Sequence, residues 1–343
     1  MRKKGVPIVQ LSKRVLASMV ASFLFSLPAL ANPALLATWF PLPSSPGCNS
    51  IEPKRMHEYE IADPVLVRRL GEIRTAIQER NAIALTALFH PRLQMQAEKV
   101  VQVFQVEEST VGARHEVSDY ELWALRPQEK DHNQIQCESE PIVINTLYGY
   151  PLQMAYWVQS SGSEDLGRFF MLLVQDRTTW RIGAFRFQRW TYLKKNAEGW
   201  AAAADLAGAQ KKPLEAFFQR DLAQKLLAGE TLFTLPAVQS WKELQERTFS
   251  TAMFEAQVQK NLGAEKPLYI APALSPNGHS LLLRFEIKEE WASTKIRAHC
   301  AEIAGRALKA PAFSFLQGVR CGYLFPGEPA AQDGKLGSVY VER

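Results

Sequence analysis

The sequence lacks the short motifs that mark the best-known catalytic and nucleotide-binding sites. It contains no Gly-x-Gly-x-x-Gly loop, no phosphate-binding P-loop, no Gly-x-Ser-x-Gly elbow and no His-Glu-x-x-His motif. Its four cysteines form no Cys-x-x-Cys pair and no Cys/His pattern at zinc-site spacing. We therefore predict no metal site, no cofactor and no identifiable catalytic residue, and we interpret His90, His279 and His299 as structural.

Long apolar runs are absent beyond the first 31 residues, which have the three parts of a secretory signal peptide. A basic start precedes an apolar run over residues 15–31 that ends in Ala29-Leu30-Ala31. An uncleaved membrane anchor is the alternative, but the run is slightly short for a membrane span and contains Pro28. We predict cleavage after residue 31, export to the periplasm or outside the cell, and no membrane span in the mature chain.

An excess of basic charge is also absent once this leader is removed. The whole chain has 40 Lys and Arg against 35 Asp and Glu, a net charge of +5. The leader holds five basic residues and no acidic one, so 35 residues of each sign remain. Because a nucleic-acid-binding surface needs concentrated positive charge, we predict no nucleic-acid partner.

The four cysteines are few but even in number, which in an exported chain favours two disulfides. They are Cys48, Cys137, Cys300 and Cys321, and three connectivities are possible. Their spacing favours Cys48–Cys137 and Cys300–Cys321, one in each half of the chain. Free buried thiols are the alternative.

The mature length suggests two domains, because 312 of the 343 residues remain after cleavage. We predict an α+β fold with a Pro-rich arm at residues 32–60 and a first α+β domain at 61–195. A helical hairpin at 196–230 then precedes a C-terminal α+β domain at 231–343.

Local patterns place the main elements. Asp63 before Pro64 predicts a helix start, and residues 100–106 fit either a helix or a strand. A change of hydrophobic parity after Ile182 predicts either a bulge near Gly183-Ala184 or burial on both faces of the last strand of a late hairpin. In the C-terminal half we expect a helix opened by Ser240 and Glu243 and running to about residue 259. A loop over 272–278 and a strand–helix–strand unit follow, with Cys300 on the helix facing Cys321 on the second strand.

Two segments resemble the NTF2-like family. Residues 82–91, Ala-Ile-Ala-Leu-Thr-Ala-Leu-Phe-His-Pro, are similar to its early helix, and the hairpin around residues 169–182 is similar to its late strands. The resemblance covers residues 61–193 and implies a cone-shaped antiparallel sheet wrapped by helices. The family includes both enzymes and binding proteins, so the resemblance does not decide function. In its enzymes an acid or base lies inside the cone, which makes the following residues the candidates here: His115, Asp119, Tyr120 and Asp176.

Aromatic residues and arginines alternate through the predicted strands and could line a pocket for a planar or sugar-like ligand. Ordinary sheet core is the alternative interpretation, because strands favour aromatic residues. The predicted ligand-binding residues are Tyr148, Tyr156, Trp157, Trp180, Arg186 and Trp190.

The sequence thus favours an exported, non-enzymatic binding or accessory protein of the cell envelope. Its partner would be an envelope component or another protein. The alternative is a hydrolase or isomerase that acts on a small molecule inside the cone.

Overall fold

The protein has an α+β fold, as the sequence predicts. The computed structural model describes eight α-helices and twelve β-strands within residues 47–51, 63–93, 95–127, 134–137, 142–227, 232–275, 278–330 and 337–343. The predicted signal peptide and the arm, apart from residues 47–51, lie outside these described residues. No helix in the described ranges combines the length and the apolar character needed to cross a membrane.

The elements follow one another in mixed order along the chain. The helices are α1 (Pro64–Gln78), α2 (Ala82–Ala87), α3 (Ala97–Val111), α4 (Ala197–Ala209), α5 (Pro213–Leu227), α6 (Pro236–Thr248), α7 (Thr251–Leu262) and α8 (Ser293–Lys309). The strands are β1 (Gly47–Ile51), β2 (His115–Arg126), β3 (Gln134–Cys137), β4 (Ile142–Asn145), β5 (Gln153–Gly162), β6 (Leu166–Asp176), β7 (Thr179–Arg189), β8 (Phe233–Thr234), β9 (Tyr269–Ser275), β10 (Gly278–Glu286), β11 (Gly318–Leu324) and β12 (Ser338–Glu342).

The first half is built on a five-stranded antiparallel sheet in the order β1-β2-β5-β6-β7. Helices α1, α2 and α3 pack on one face and bury a continuous apolar cluster there. Residues 100–106 are therefore helical, with Val100 and Phe104 facing the sheet from α3. Asp63 fixes the start of α1, because its carboxylate accepts hydrogen bonds from Leu66 N (2.9 Å) and Trp180 Nε1 (2.8 Å).

Two β-bulges determine which side chains face the helices. In β7, Ala184 pairs with Leu172 and Ile182 with Leu173, so Gly183 is the extra residue, as predicted. A Cβ atom at Gly183 would lie 2.5 Å from Leu147 Cδ1, so only glycine fits without a shift of neighbouring atoms. The second bulge is in β2, where the register shifts between Asp119 and Glu121.

A small sheet in the order β3-β4-β8 covers the opposite face of the large sheet and encloses a second apolar cluster. The predicted disulfide between Cys48 and Cys137 is present and ties β1 to β3, with a Cα–Cα distance of 5.0 Å. Residues 47–51 of the predicted arm are thus a strand of the large sheet.

The helical hairpin of α4 and α5 forms as expected, but the next predicted helix is wrong in its bounds. The chain forms two helices, α6 and α7, which are separated at Phe249 and Ser250. Ser240 lies inside α6, where its hydroxyl donates to Pro236 O, so it does not open the helix. Ser250 caps α7 instead by accepting a hydrogen bond from Met253 N.

The C-terminal sheet has the order β12-β11-β10-β9, with β10 and β11 parallel and joined through α8. This is the predicted strand–helix–strand unit, and the predicted Cys300–Cys321 disulfide joins α8 to β11. The predicted loop over 272–278 is wrong, because residues up to Ser275 belong to β9 and pair with β10. Pro272 lies in this edge strand, a position where a missing N–H is tolerated.

Candidate functional site

The helix-covered face of the large sheet is filled with side chains. Tyr156 and Trp180, two of the predicted ligand-binding residues, lie in this apolar core together with Phe89, Phe104 and Phe169. All five side chains are buried, and Phe104 and Phe169 pack edge to face at a centroid distance of 6.2 Å. The interior of the predicted cone is therefore a packed core in the described residues.

Asp119, a predicted acid or base, is engaged at the edge of this core. Arg74 Nη1 donates to Asp119 Oδ2 at 2.6 Å, and the Tyr156 hydroxyl donates to Asp119 Oδ1. Burial, followed by the charge of Asp119, raises the pKa of Tyr156 well above its ordinary value. The arrangement holds the tyrosine protonated and the carboxylate paired.

His115 belongs to a second buried polar cluster, at the beginning of β2. Glu107 is fully buried and accepts hydrogen bonds from Arg80 Nε (2.7 Å) and Ser160 Oγ (2.5 Å). His115 Nδ1 lies 3.3 Å from Glu107 Oε1, while Arg80 also donates to the carbonyls of residues 112 and 113. The serine faces the carboxylate and not the imidazole, so the group lacks the order of a Ser-His-acid triad.

The two remaining acid–base candidates lie elsewhere. Tyr120 is on the opposite face of the sheet, where the Arg168 guanidinium lies 3.4 Å from its ring centroid. Asp176 lies at the β6–β7 turn, 4.0 Å from Arg181 Nε and 3.8 Å from His90 Nε2. The structure therefore does not bring the four candidates together.

The predicted aromatic ligand site is divided in the same way. Trp157 and Trp190 pack against each other on the face opposite Tyr156 and Trp180, at a centroid distance of 5.5 Å. Arg186 pairs in register with Phe170, which belongs to the Trp157 cluster, so it points to that face as well. Tyr148 is 79% exposed and precedes β5. The six residues do not lie together on one face of the sheet, and a binding role for them stays a prediction.

A cavity of about 550 Å³ opens at a place that the sequence analysis did not single out, between α4, α5 and α6. We call it the helix pocket. Each helix contributes residues spaced three or four apart, which places them on one face. The lining residues are Ala204, Asp205, Gly208, Lys211, Pro213, Ala216, Phe217, Arg220, Leu244, Gln245, Thr248 and Phe249.

Small side chains create the space. Ala204 and Gly208 lie one turn apart on α4, and Ala216 faces them from α5. A Cβ atom at Gly208 would meet nothing within 4 Å. The rings of Phe217 and Phe249 pack edge to face at 6.0 Å and form an apolar wall.

The polar groups of the helix pocket are few. Arg220 is buried in α5 and donates to the Asp205 carboxylate across the hairpin. Gln245 is buried in α6, and its Oε1 accepts from Gln224 Nε2 at 2.9 Å. Lys211 lies at the turn between α4 and α5. A mostly apolar wall with a few convergent polar groups is typical of a small-molecule site.

The reactive groups of the helix pocket are few. Its lining contains no His, Cys, Tyr or Ser, and its ionisable and hydroxyl side chains are Asp205, Lys211, Arg220 and Thr248. The lining therefore offers no imidazole base and no thiol. Within the described ranges, no group of three or more His, Cys, Asp and Glu side chains is placed to hold a metal ion. The sequence shows small residues on one face of α4 and Arg220 on an otherwise apolar face of α5, but neither pattern by itself indicates a cavity.

Comparisons with known proteins identify no relative. No protein-family model, curated protein or solved structure matches the chain at a significant level. The helix pocket therefore has to be interpreted from its own geometry.

Proposed function

We propose that the protein is a non-enzymatic binding or accessory protein of the cell envelope, and that the helix pocket holds its ligand. The observation that carries this proposal is a cavity of about 550 Å³ with apolar walls between three helices. Such a volume lies within the range of roughly 300–1,000 Å³ found for small-molecule sites. The ligand would be an envelope component, whether free or presented by a protein partner.

The first domain supports binding over catalysis. A hydrolase or isomerase inside the cone would need space for its substrate, but that volume is occupied by Tyr156, Phe169 and Trp180. Both carboxylate oxygens of Asp119 are already engaged, one by Arg74 and the other by the Tyr156 hydroxyl. The three helices on one face of an antiparallel sheet are compatible with an NTF2-like domain, which we retain as part of this proposal.

The two disulfides suggest an oxidising, extracellular location, because reducing compartments keep thiols free. Within that class of location, we propose the periplasm or the external medium as the site of action. The signal-peptide pattern of residues 1–31 supports this assignment.

The proposal is tested with N-phenyl-1-naphthylamine, a neutral apolar dye whose fluorescence rises in an apolar site. We expect the mature protein to bind the dye and the Gly208→Leu variant to bind it at least tenfold more weakly. The added side chain would enter open space, so the helix itself is not disturbed.

The matched control is Gly71→Leu. Gly71 also lies inside a helix, and a Cβ atom there would meet nothing within 4 Å, but it belongs to α1 and does not line the helix pocket. This control should bind the dye as the unaltered protein does. Equal dye binding by all three proteins, or none by the unaltered protein, would refute the proposal.

A further inference from the structure

We infer that the helix pocket takes a monoanionic amphiphile, specifically a free long-chain carboxylate whose head group pairs with Arg220. This inference rests on the proposed function and specifies its ligand class. Three observations carry it: the pairing of Arg220, the net charge of the lining, and the apolar walls.

Arg220 is the central polar group. It is 8% exposed, and a buried guanidinium must be paired to offset its desolvation. Within the described part of the chain, its one hydrogen-bond partner is Asp205. The Asp205 side chain is 68% exposed, so it can turn into water at little cost. Asp205 therefore occupies the place that a ligand carboxylate would take on Arg220.

The lining has one positive charge in excess. Its charged residues are Arg220, Lys211 and Asp205, which gives two cations and one carboxylate. Lys212 pairs with Glu215 at 3.7 Å, whereas Lys211 forms no ion pair with the described residues. A ligand with one negative charge would balance this excess, and guanidinium binds carboxylates with two parallel hydrogen bonds.

The rest of the lining is suited to an alkyl chain. Phe217, Phe249 and Leu244 form one wall, and Ala204 and Ala216 the other. Leu244 is 43% exposed although it lines the helix pocket. A bound alkyl chain would cover this apolar surface, which favours binding. A ligand with an anionic head and an apolar tail would thus satisfy both parts of the helix pocket.

The experiment compares dodecanoate with dodecanol, a neutral amphiphile of the same chain length, by displacement of the naphthylamine dye. We expect dodecanoate to bind the unaltered protein at least tenfold more tightly than dodecanol. Arg220→Met should weaken dodecanoate about 10- to 100-fold, because it removes hydrogen bonds to a charged group, and leave dodecanol unchanged. Asp205→Asn should strengthen dodecanoate binding about two- to fivefold, because it removes the competing carboxylate.

Arg306→Met is the matched control. Arg306 is also a helix arginine with a carboxylate partner, Glu265, but it lies in α8. The Arg306→Met substitution should leave the affinity for dodecanoate unchanged. Should Arg220→Met fail to fold, Arg220→Lys takes its place, since it keeps the charge but loses the paired hydrogen bonds.

The outcomes separate the two proposals. Equal affinities for dodecanoate and dodecanol, or an unchanged dodecanoate affinity in the Arg220 variant, would overturn this inference. If the dye still binds in a Gly208-dependent manner, the proposed function survives that result. Absence of dye binding to the unaltered protein would instead defeat the proposed function itself.

Discussion

Replacing His279 with phenylalanine should remove much of the protein's sensitivity to mild acid. His279 is 8% exposed on β10, and its ring packs edge to face against Trp200 (5.1 Å), Phe218 (6.1 Å) and Phe315 (6.1 Å). Its Nε2 atom has no hydrogen-bond partner among the described residues. Burial, with a further contribution from Lys195, lowers the pKa of His279 to about 4 from an ordinary value of 6.5.

The sign of the effect follows from proton binding. Between pH 6.5 and 4 the unfolded chain binds a proton at this position and the folded chain does not, so stability falls as the pH falls. The contribution of His279 to the free energy of unfolding is complete above pH 6.5 and is lost once the pH drops below about 4. A shift of this size corresponds to about 3 kcal/mol, of which about 2.5 kcal/mol is lost between pH 7.5 and pH 4.5.

Urea unfolding followed by tryptophan fluorescence at these two pH values measures the loss. The His279→Phe variant should lose about 2.5 kcal/mol less than the unaltered protein, since carboxylates elsewhere contribute equally to both. An NMR titration of the imidazole supplies an independent check, with a midpoint expected near pH 4. An identical pH dependence in both proteins, or a midpoint near 6.5, would show that burial does not lower the pKa of His279.

Three further predictions concern stability. Glu107→Gln should lower the free energy of unfolding by about 3 kcal/mol, because it leaves the Arg80 guanidinium without its buried carboxylate. Denaturant titration measures the loss, and a value below about 1 kcal/mol would contradict this prediction. Replacing Cys300 and Cys321 with alanine should lower the free energy of unfolding by about 3 kcal/mol, because the loop between them is no longer closed in the unfolded chain. An unchanged melting temperature in thermal unfolding would contradict this prediction. Lys211→Gly should raise the free energy of unfolding by about 0.5–1 kcal/mol. Lys211 has a φ of 59°, a left-handed conformation that glycine adopts more readily than lysine. A loss of stability measured by calorimetry would count against this prediction.

Several parts of the fold could be predicted because their signals are local. The Asp63-Pro64 pair starts α1, and Gly183 marks the bulge in β7 where the hydrophobic parity changes. The Cys300–Cys321 pairing could be predicted because α8 packs on the strand that follows it, which brings the two cysteines together across 21 residues of sequence. In each case the necessary information lies within one short stretch of the sequence.

The predicted aromatic residues lie on two faces of the sheet for a reason visible in the sequence. Tyr156 and Trp157 are consecutive in a strand, so their side chains must point to opposite faces. The bulge at Gly183 then places Trp180 on the helix-covered face and Trp190 on the other. Composition suggested one cluster, whereas strand geometry requires two.

The helix pocket could not be predicted, because it depends on tertiary packing. Its walls come from three helices, and the third begins at Pro236 and ends at Thr248, not at the bounds that the capping-box pattern indicated. The break at Phe249 also places this ring against Phe217. Gly208 gives no local sign that the space beside it is empty.

Crystallography would show most directly whether a carboxylate-headed amphiphile occupies the helix pocket. Crystals of the mature protein grown with a fatty acid carrying bromine at its tail would be measured at the bromine absorption edge. We predict an anomalous peak among Phe217, Leu244 and Phe249, with the carboxylate density at Arg220. A peak elsewhere, or no peak at a ligand concentration that saturates dye displacement, would show that the helix pocket does not hold such a ligand.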